Sequence, residues 1–85
     1  MKQLTDKPMA YREEMVESLV RMYKVLRLAS DNVTDAQKRY QKNPNTYTLR
    51  QLNDASQILA NQNYIVDTYE LGATAEEKII AKERS

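Results

Sequence analysis

Apolar residues in the first half of the chain recur at alternating spacings of three and four, the pattern of a coiled-coil helix. The pattern runs from Met15 to Tyr40 without a break. Before it, Asp6 and Pro8 suit a helix N-cap followed by a proline in the first turn. We therefore predict a first helix over about residues 7–42. Its inner seam consists of Met15, Leu19, Met22, Leu26, Ala29, Val33, Ala36 and Tyr40.

The pattern stops at Pro44, because proline disfavours helical geometry in the residue before it. We predict a turn over 43–46 and a second helix over about 46–71. Its start remains open between Pro44, which suits a first turn, and Thr48, which opens a capping box with Gln51. The seam of this helix is Leu52, Ala55, Leu59, Gln62, Val66 and Tyr69, with Leu49, Ile58 and Ile65 beside it.

The second helix is followed by the one glycine of the chain, Gly72. A glycine in this place is typical of a left-handed helix C-cap. Thr74 and Glu77 then form the pattern of a capping box, which predicts a short third helix over about 75–83. This helix carries Ile79 and Ile80 as its large apolar residues.

These elements predict an all-α fold, with one domain over 1–85 built as an antiparallel two-helix hairpin and a short C-terminal third helix. Folding the chain back at about residue 44 places Ala29 opposite Leu59, so that a large side chain faces a small one. The same register places Leu26 opposite Gln62. Hairpins with apolar surface left over commonly pair as dimeric four-helix bundles, and we expect this chain to do so.

Charge and composition remove several classes of function. Thirteen basic and twelve acidic residues leave a net charge of +1, so the whole molecule has no strong field to attract nucleic acid or an anionic membrane. The absence of Cys and His removes disulfides, thiol nucleophiles and the Ser-His-Asp triad. We find no glycine-rich phosphate loop, and we predict a protein that is not an enzyme and needs no cofactor or metal.

The location in the cell is predicted from the lack of long apolar segments. The first residues contain no apolar core of the length that a signal peptide needs. Elsewhere, no stretch approaches the roughly 20 apolar residues of a membrane span. We therefore expect a cytoplasmic protein that does not bind a membrane.

The first helix carries more apolar residues near its start than one partner helix can cover. Contiguous exposed apolar surface usually marks an interface. We predict that this helix-1 flank binds another protein, either a second copy in a homo-oligomer or a dedicated partner. The alternative is that Ile79 and Ile80 of the third helix cover it within the chain. The flank consists of Val16, Val20, Tyr23, Val25 and Leu28.

Basic and aromatic residues cluster around the turn. Such a mixture can hold phosphate and stack a base, so nucleic acid is a second, less favoured partner. Cations near a helix C-terminus are also favourable in themselves, and a solvated helix end is therefore the preferred interpretation. The basic turn consists of Lys38, Arg39, Tyr40, Lys42, Tyr47 and Arg50.

The segment Val33-Thr34-Asp35-Ala36, followed by Pro44 and Leu49, resembles the region around the turn in needle subunits of type III secretion systems. This resemblance implies a filament-forming structural subunit. The chain departs from those subunits, which have a polar first helix and an apolar C-terminal tail. The shape is also similar to that of small hairpin dimers that bind RNA loops in plasmid copy control.

Taken together, these features predict a non-enzymatic protein-protein interaction module. We expect a small bacterial or bacteriophage regulator or inhibitor that binds a partner protein through the helix-1 flank. The alternatives are a filament-forming subunit and a nucleic-acid-binding hairpin that uses the basic turn.

Overall fold

The computed structural model describes residues 11–85, which form three helices and contain no strand. The helices are α1 (Glu13–Lys42), α2 (Thr46–Leu71) and α3 (Ala75–Arg84). The prediction of an all-helical protein with three helices is confirmed for these residues. The predicted N-cap at Asp6 and Pro8 lies outside them.

Helix α1 begins at Glu13, later than the predicted start near residue 7. Arg12 is extended, with φ −97° and ψ 120°, and its side chain does not cap the helix. Its backbone N–H instead donates to the Glu77 carboxylate at 2.7 Å, while its carbonyl accepts from the Val16 N–H at 3.1 Å. A contact with α3 therefore fixes the start of α1, which a local sequence pattern does not reveal.

Helix α2 begins at Thr46, one residue after its N-cap Asn45 and between Pro44 and Thr48, the two starts that the sequence left open. The Asn45 side chain accepts from the Thr48 N–H at 2.9 Å, and Thr48 Oγ1 accepts from the Asn45 N–H at 3.1 Å. This reciprocal pair satisfies two backbone donors of the first turn. Thr48 is buried, and its hydroxyl also donates to the Asn43 carbonyl at 2.9 Å. Thr48 thus closes the turn from the third helical position.

The prediction of a left-handed cap at Gly72 is wrong. Gly72 has φ −92° and ψ 2°, and its N–H donates to the Tyr69 carbonyl at 3.1 Å. The next N–H, that of Ala73, donates to the Glu70 carbonyl at the same spacing of three residues. The last turn of α2 thus tightens to hydrogen bonds between residues three apart. These bonds satisfy carbonyls at the helix end without a left-handed residue. The predicted capping box between Thr74 and Glu77 is confirmed at the start of α3.

The core lies where α1 meets both other helices. Val16, Leu19 and Tyr23 of α1 pack with Val66 of α2 and Ala81 of α3. Contacts join early α1 with late α2, as in the hydrogen bond from Tyr23 Oη to Glu70 Oε2 at 2.7 Å. The described part of the chain is elongated, measuring 63 × 19 × 15 Å. A molecule this thin leaves much of each helix surface open.

Gln62, which the predicted register places opposite Leu26, makes its hydrogen bond to another residue of α1. Its side-chain amide donates to the Met22 carbonyl at 3.4 Å, one turn earlier on α1, and lies 3.8 Å from the Met22 sulfur. Met22 supplies both acceptors, its backbone carbonyl and its weakly accepting sulfur.

Candidate interaction surface

Part of the predicted helix-1 flank is covered within the chain by α3. Val16 and Tyr23 are buried in the core, and Val20 packs against it half-buried. Of the two residues expected to cover them, Ile80 packs against the core, whereas Ile79 is exposed. Val16 and Tyr23 are therefore not available to a partner while α3 is docked, and we no longer place them in an interaction surface.

A buried carboxylate attaches α3 to the start of α1. Glu77 is fully buried. Its Oε2 accepts from the Arg12 N–H at 2.7 Å and from Arg12 Nε at 2.9 Å. Its Oε1 accepts from Arg12 Nη2 at 3.0 Å and from the Thr74 N–H at 2.8 Å. Arg12 Nη2 also donates to the Gly72 carbonyl at 2.7 Å. We call this arrangement of Arg12, Gly72, Thr74 and Glu77 the α3 clasp.

The electrostatics of the α3 clasp favour the ionised form of its carboxylate. The pKa of Glu77 is lowered from its usual value of 4.5 to about 2. The largest cause is the hydrogen bonding from the Arg12 side chain, followed by the N–H groups of Thr74 and Arg12, while burial acts in the opposite direction. Hydrogen bonds to a charged form lower the pKa of an acid. Glu77 is a satisfied structural carboxylate and is poorly suited to proton transfer near neutral pH.

Further polar contacts hold α3 and α2 against α1. The Arg84 guanidinium forms an ion pair with Glu13, and Arg27 donates to the Ser85 backbone oxygen at 2.8 and 3.0 Å. Burial, followed by the hydrogen bond to Glu70, raises the pKa of Tyr23. The Lys82 ammonium lies 5.9 Å from the centre of the Tyr23 ring. Tyr23 is thus a structural residue with contacts to both neighbouring helices.

The rest of the predicted flank lies on another side of α1. Val25 is 46% exposed and Leu28 is 63% exposed. Val25 and Arg27 are two positions apart, which is about 200° around a helix, so Val25 points away from the side where Arg27 meets α3. Val25 and Leu28 instead belong to a second stripe with spacings of four and three. This stripe consists of Glu14, Ser18, Arg21, Val25, Leu28, Asn32, Asp35 and Arg39.

Helix α2 carries a matching second stripe. Ile58 and Ile65 lie on it, 58% and 40% exposed respectively. The stripes of the two helices meet along a groove of about 270 Å³, which Asn32 and Arg39 line from α1 and Asp54 and Ile58 line from α2. The second stripe of α2 consists of Tyr47, Gln51, Asp54, Ile58, Asn61, Ile65 and Thr68.

The middle of the two stripes forms one exposed apolar surface, which we call the apolar face and define as Val25, Leu28, Ile58 and Ile65. Seven residues separate Val25 from the groove residue Asn32, and the same interval separates Ile58 from Ile65, so each pair shares one helix face. Sequence reasoning placed Ile58 and Ile65 beside the seam but assigned them no function. The signal that could have identified them is the second spacing of four and three on each helix.

The basic turn lies at the other end of α1. Lys38, Arg39, Lys42 and Arg50 are exposed, as is Tyr47, while Tyr40 is half-buried. Arg39 and Lys42 line a depression of about 450 Å³ together with Asn43 and Thr48. Because the Thr48 hydroxyl is already bonded to the Asn43 carbonyl, two cations are the main free polar groups there. The structure therefore brings together only part of the predicted basic turn.

Within residues 11–85, no group of three or more acidic residues is placed to hold a metal ion. None of the helices in this range is both long enough and apolar enough to cross a membrane.

The chain was also compared with known proteins. No protein-family model matches it, and the comparisons with curated proteins and with solved structures find no match either.

Proposed function

We propose that the chain is a non-enzymatic protein-protein interaction module, a helical hairpin of cytoplasmic location that acts as a small regulator or inhibitor. The observation that carries this proposal is the apolar face. It replaces the predicted helix-1 flank as the binding surface, keeping Val25 and Leu28 and adding Ile58 and Ile65. Its position on α1 and α2 together suits a partner that presents one or two apolar helix stripes of its own.

The apolar face can contribute several kcal/mol to binding. Fully burying one Val, Leu or Ile side chain stabilises by about 1.5–3 kcal/mol. The four side chains are 40–63% exposed, so about half of this value remains to be gained from each. The sum is roughly 3–6 kcal/mol from this chain, to which the partner adds its own apolar surface. Association costs at least several kcal/mol, so all four positions are needed.

The proposal is tested with a photo-crosslinking amino acid at position 58. In cells that contain the chain, we expect adducts with a defined protein from position 58 and none from Asn53, an exposed α2 position off the apolar face. The double variant Leu28→Asp with Val25→Asp should abolish the adducts while the circular dichroism spectrum stays helical. Binding would bury these carboxylates with no cation or hydrogen-bond donor to pair with them, which is costly.

The matched control is Leu71→Asp, which places the same charge at a leucine that is 88% exposed and lies off the apolar face. This variant should keep the adducts. If the same adducts formed from positions 58 and 53, or if they survived the double variant, the apolar face would be ordinary surface and the proposal would fail.

Nucleic acid is the second candidate, and the depression at the basic turn favours it. Arg39 and Lys42 face this depression, and Tyr47 is 70% exposed nearby. An exposed ring beside cations can stack a base. Two lining cations supply few phosphate contacts, and this candidate therefore ranks below protein binding.

A further inference from the structure

We propose that the occupant of the apolar face is a second copy of this chain, related by a two-fold axis that runs parallel to the long axis of the molecule. This inference rests on the proposed function and names its partner. In this arrangement α1 of one copy lies over α2 of the other, and the four helices form a closed bundle. Two-fold dimers use the same surface patch on both copies, so the patch must be complementary to itself.

The apolar side chains meet this requirement of self-complementarity. Rotation about this axis places α1 of one copy over α2 of the other. It leaves the position of each residue along the long axis of the molecule unchanged. Asn32 and Ile58 line the same groove, and Leu28 lies one helical turn before Asn32. The axis therefore brings Val25 and Leu28 of one copy against Ile58 and Ile65 of the other. Aliphatic residues meet aliphatic residues on both sides of the axis, with each pair formed twice.

The charges along the groove follow the same symmetry. Arg39 lines the groove from α1 and Asp54 lines it from α2. Within one copy they form no ion pair, since the ion pairs found over residues 11–85 are Arg12 with Glu77 and Arg84 with Glu13. The axis sets Arg39 of each copy beside Asp54 of the other. Opposite charges thus meet at two places in the dimer.

Two asparagines in the second stripes provide polar groups that can form hydrogen bonds within the proposed dimer interface. Asn32 and Asn61 lie at polar positions of the two second stripes, and both are exposed. Amides at such interior positions tolerate burial only when they find partners, and they commonly fix the register of a bundle. The polar positions therefore select one alignment of the two copies, while the apolar positions supply the affinity.

The test exchanges the two charges and measures mass by sedimentation equilibrium. The wild-type chain should form a dimer. Arg39→Asp alone and Asp54→Arg alone should each weaken the dimer by about tenfold, because each change turns two attractive contacts into repulsive ones. An equimolar mixture of the two single variants should regain the wild-type dissociation constant, since each copy then presents the charge that the other lacks.

The mixture separates contacts between copies from contacts within one copy, because a rescue that needs two different chains is intermolecular. Lys38→Asp is the matched control: it reverses a neighbouring exposed charge that lies off the groove and should leave the dimer unchanged. Circular dichroism of each variant checks that the helices are intact. A mixture no stronger than the single variants would overturn the proposed symmetry.

The failure of this inference is distinguishable from the failure of the proposed function. If the wild-type chain stayed monomeric up to about 1 mM, a second copy would be ruled out as the occupant. The function would stand if position 58 still formed adducts with another protein. It would fail together with the inference if neither a dimer nor adducts were found.

Discussion

Two leucines of α1 provide a direct comparison between the core and the apolar face. Leu19 is fully buried against Val66 and Ala81, whereas Leu28 is 63% exposed on the apolar face. We compare Leu19→Ala with Leu28→Ala, two identical chemical changes in one helix. Alanine favours a helix at least as well as leucine, so any loss of stability reflects packing and not helix propensity.

The expected magnitudes differ by several fold. Truncating a fully buried leucine removes its transfer free energy and leaves a cavity, at a cost of about 2–5 kcal/mol. At about 4–8 °C per kcal/mol for a domain of this size, the unfolding temperature of Leu19→Ala should fall by at least about 10 °C. At Leu28 only about a third of the side chain is buried in one copy, and the loss should stay below about 1 kcal/mol.

The assay is thermal unfolding followed by circular dichroism, at a low and at a high protein concentration. The Leu19→Ala loss should be the same at both concentrations. The Leu28→Ala loss should grow with concentration, because an oligomer that buries Leu28 stabilises the folded state by mass action. Equal losses for the two variants at low concentration would refute the placement of Leu19 in the core and of Leu28 on the surface.

Two further predictions concern the α3 clasp and the basic turn. Because the folded-state pKa of Glu77 is about 2 and its usual value is 4.5, the stability that it contributes is present above pH 4.5 and is lost as the pH falls toward 2. Glu77→Gln should therefore lower the unfolding temperature at pH 7 and flatten its dependence on pH in this window, whereas the exposed control Glu76→Gln should retain the wild-type pH dependence. Replacing Lys38, Lys42 and Arg50 together by Gln should leave the unfolding temperature and the sedimentation unchanged, since exposed charges contribute at most about 1 kcal/mol each. If the wild-type chain bound an oligonucleotide with salt-sensitive affinity and this triple variant did not, as measured by fluorescence anisotropy, nucleic acid would become the leading candidate.

The three helices were predictable because their signals are local. The spacing of apolar residues identifies α1 and α2, and the pair Thr74 and Glu77 identifies the start of α3. The start of α1 was not predictable, because the Arg12 N–H is bonded to Glu77, which lies 65 positions away. The conformation of Gly72, just after α2, was predicted wrongly, because glycine permits a left-handed cap but does not require one.

The candidate surface was only partly predictable from the sequence. The excess of apolar residues in early α1 was recognised, but its division between the core and the surface depends on where α3 docks. Val16 and Tyr23 lie against the core formed with Ala81, while Val25 and Leu28 remain exposed. Val25 and Leu28 share one surface with Ile58 and Ile65 only because α1 and α2 are rotated so that both stripes face the same side. The periodicity of one helix does not determine how that helix is rotated relative to the other.

The α3 clasp joins residues that are 65 positions apart in the sequence, and this separation has a consequence for folding. A helix of ten residues is too short to be stable by itself in water, so α3 forms only when it has a surface to dock on. That surface belongs to α1, and part of it, Leu19 and Tyr23, is completed by Val66 of α2. Closing a contact between Arg12 and Glu77 is also entropically costly until the intervening chain is compact. We therefore expect α1 and α2 to join first, α3 to dock last, and α3 to be the first element to detach when the folded protein opens locally.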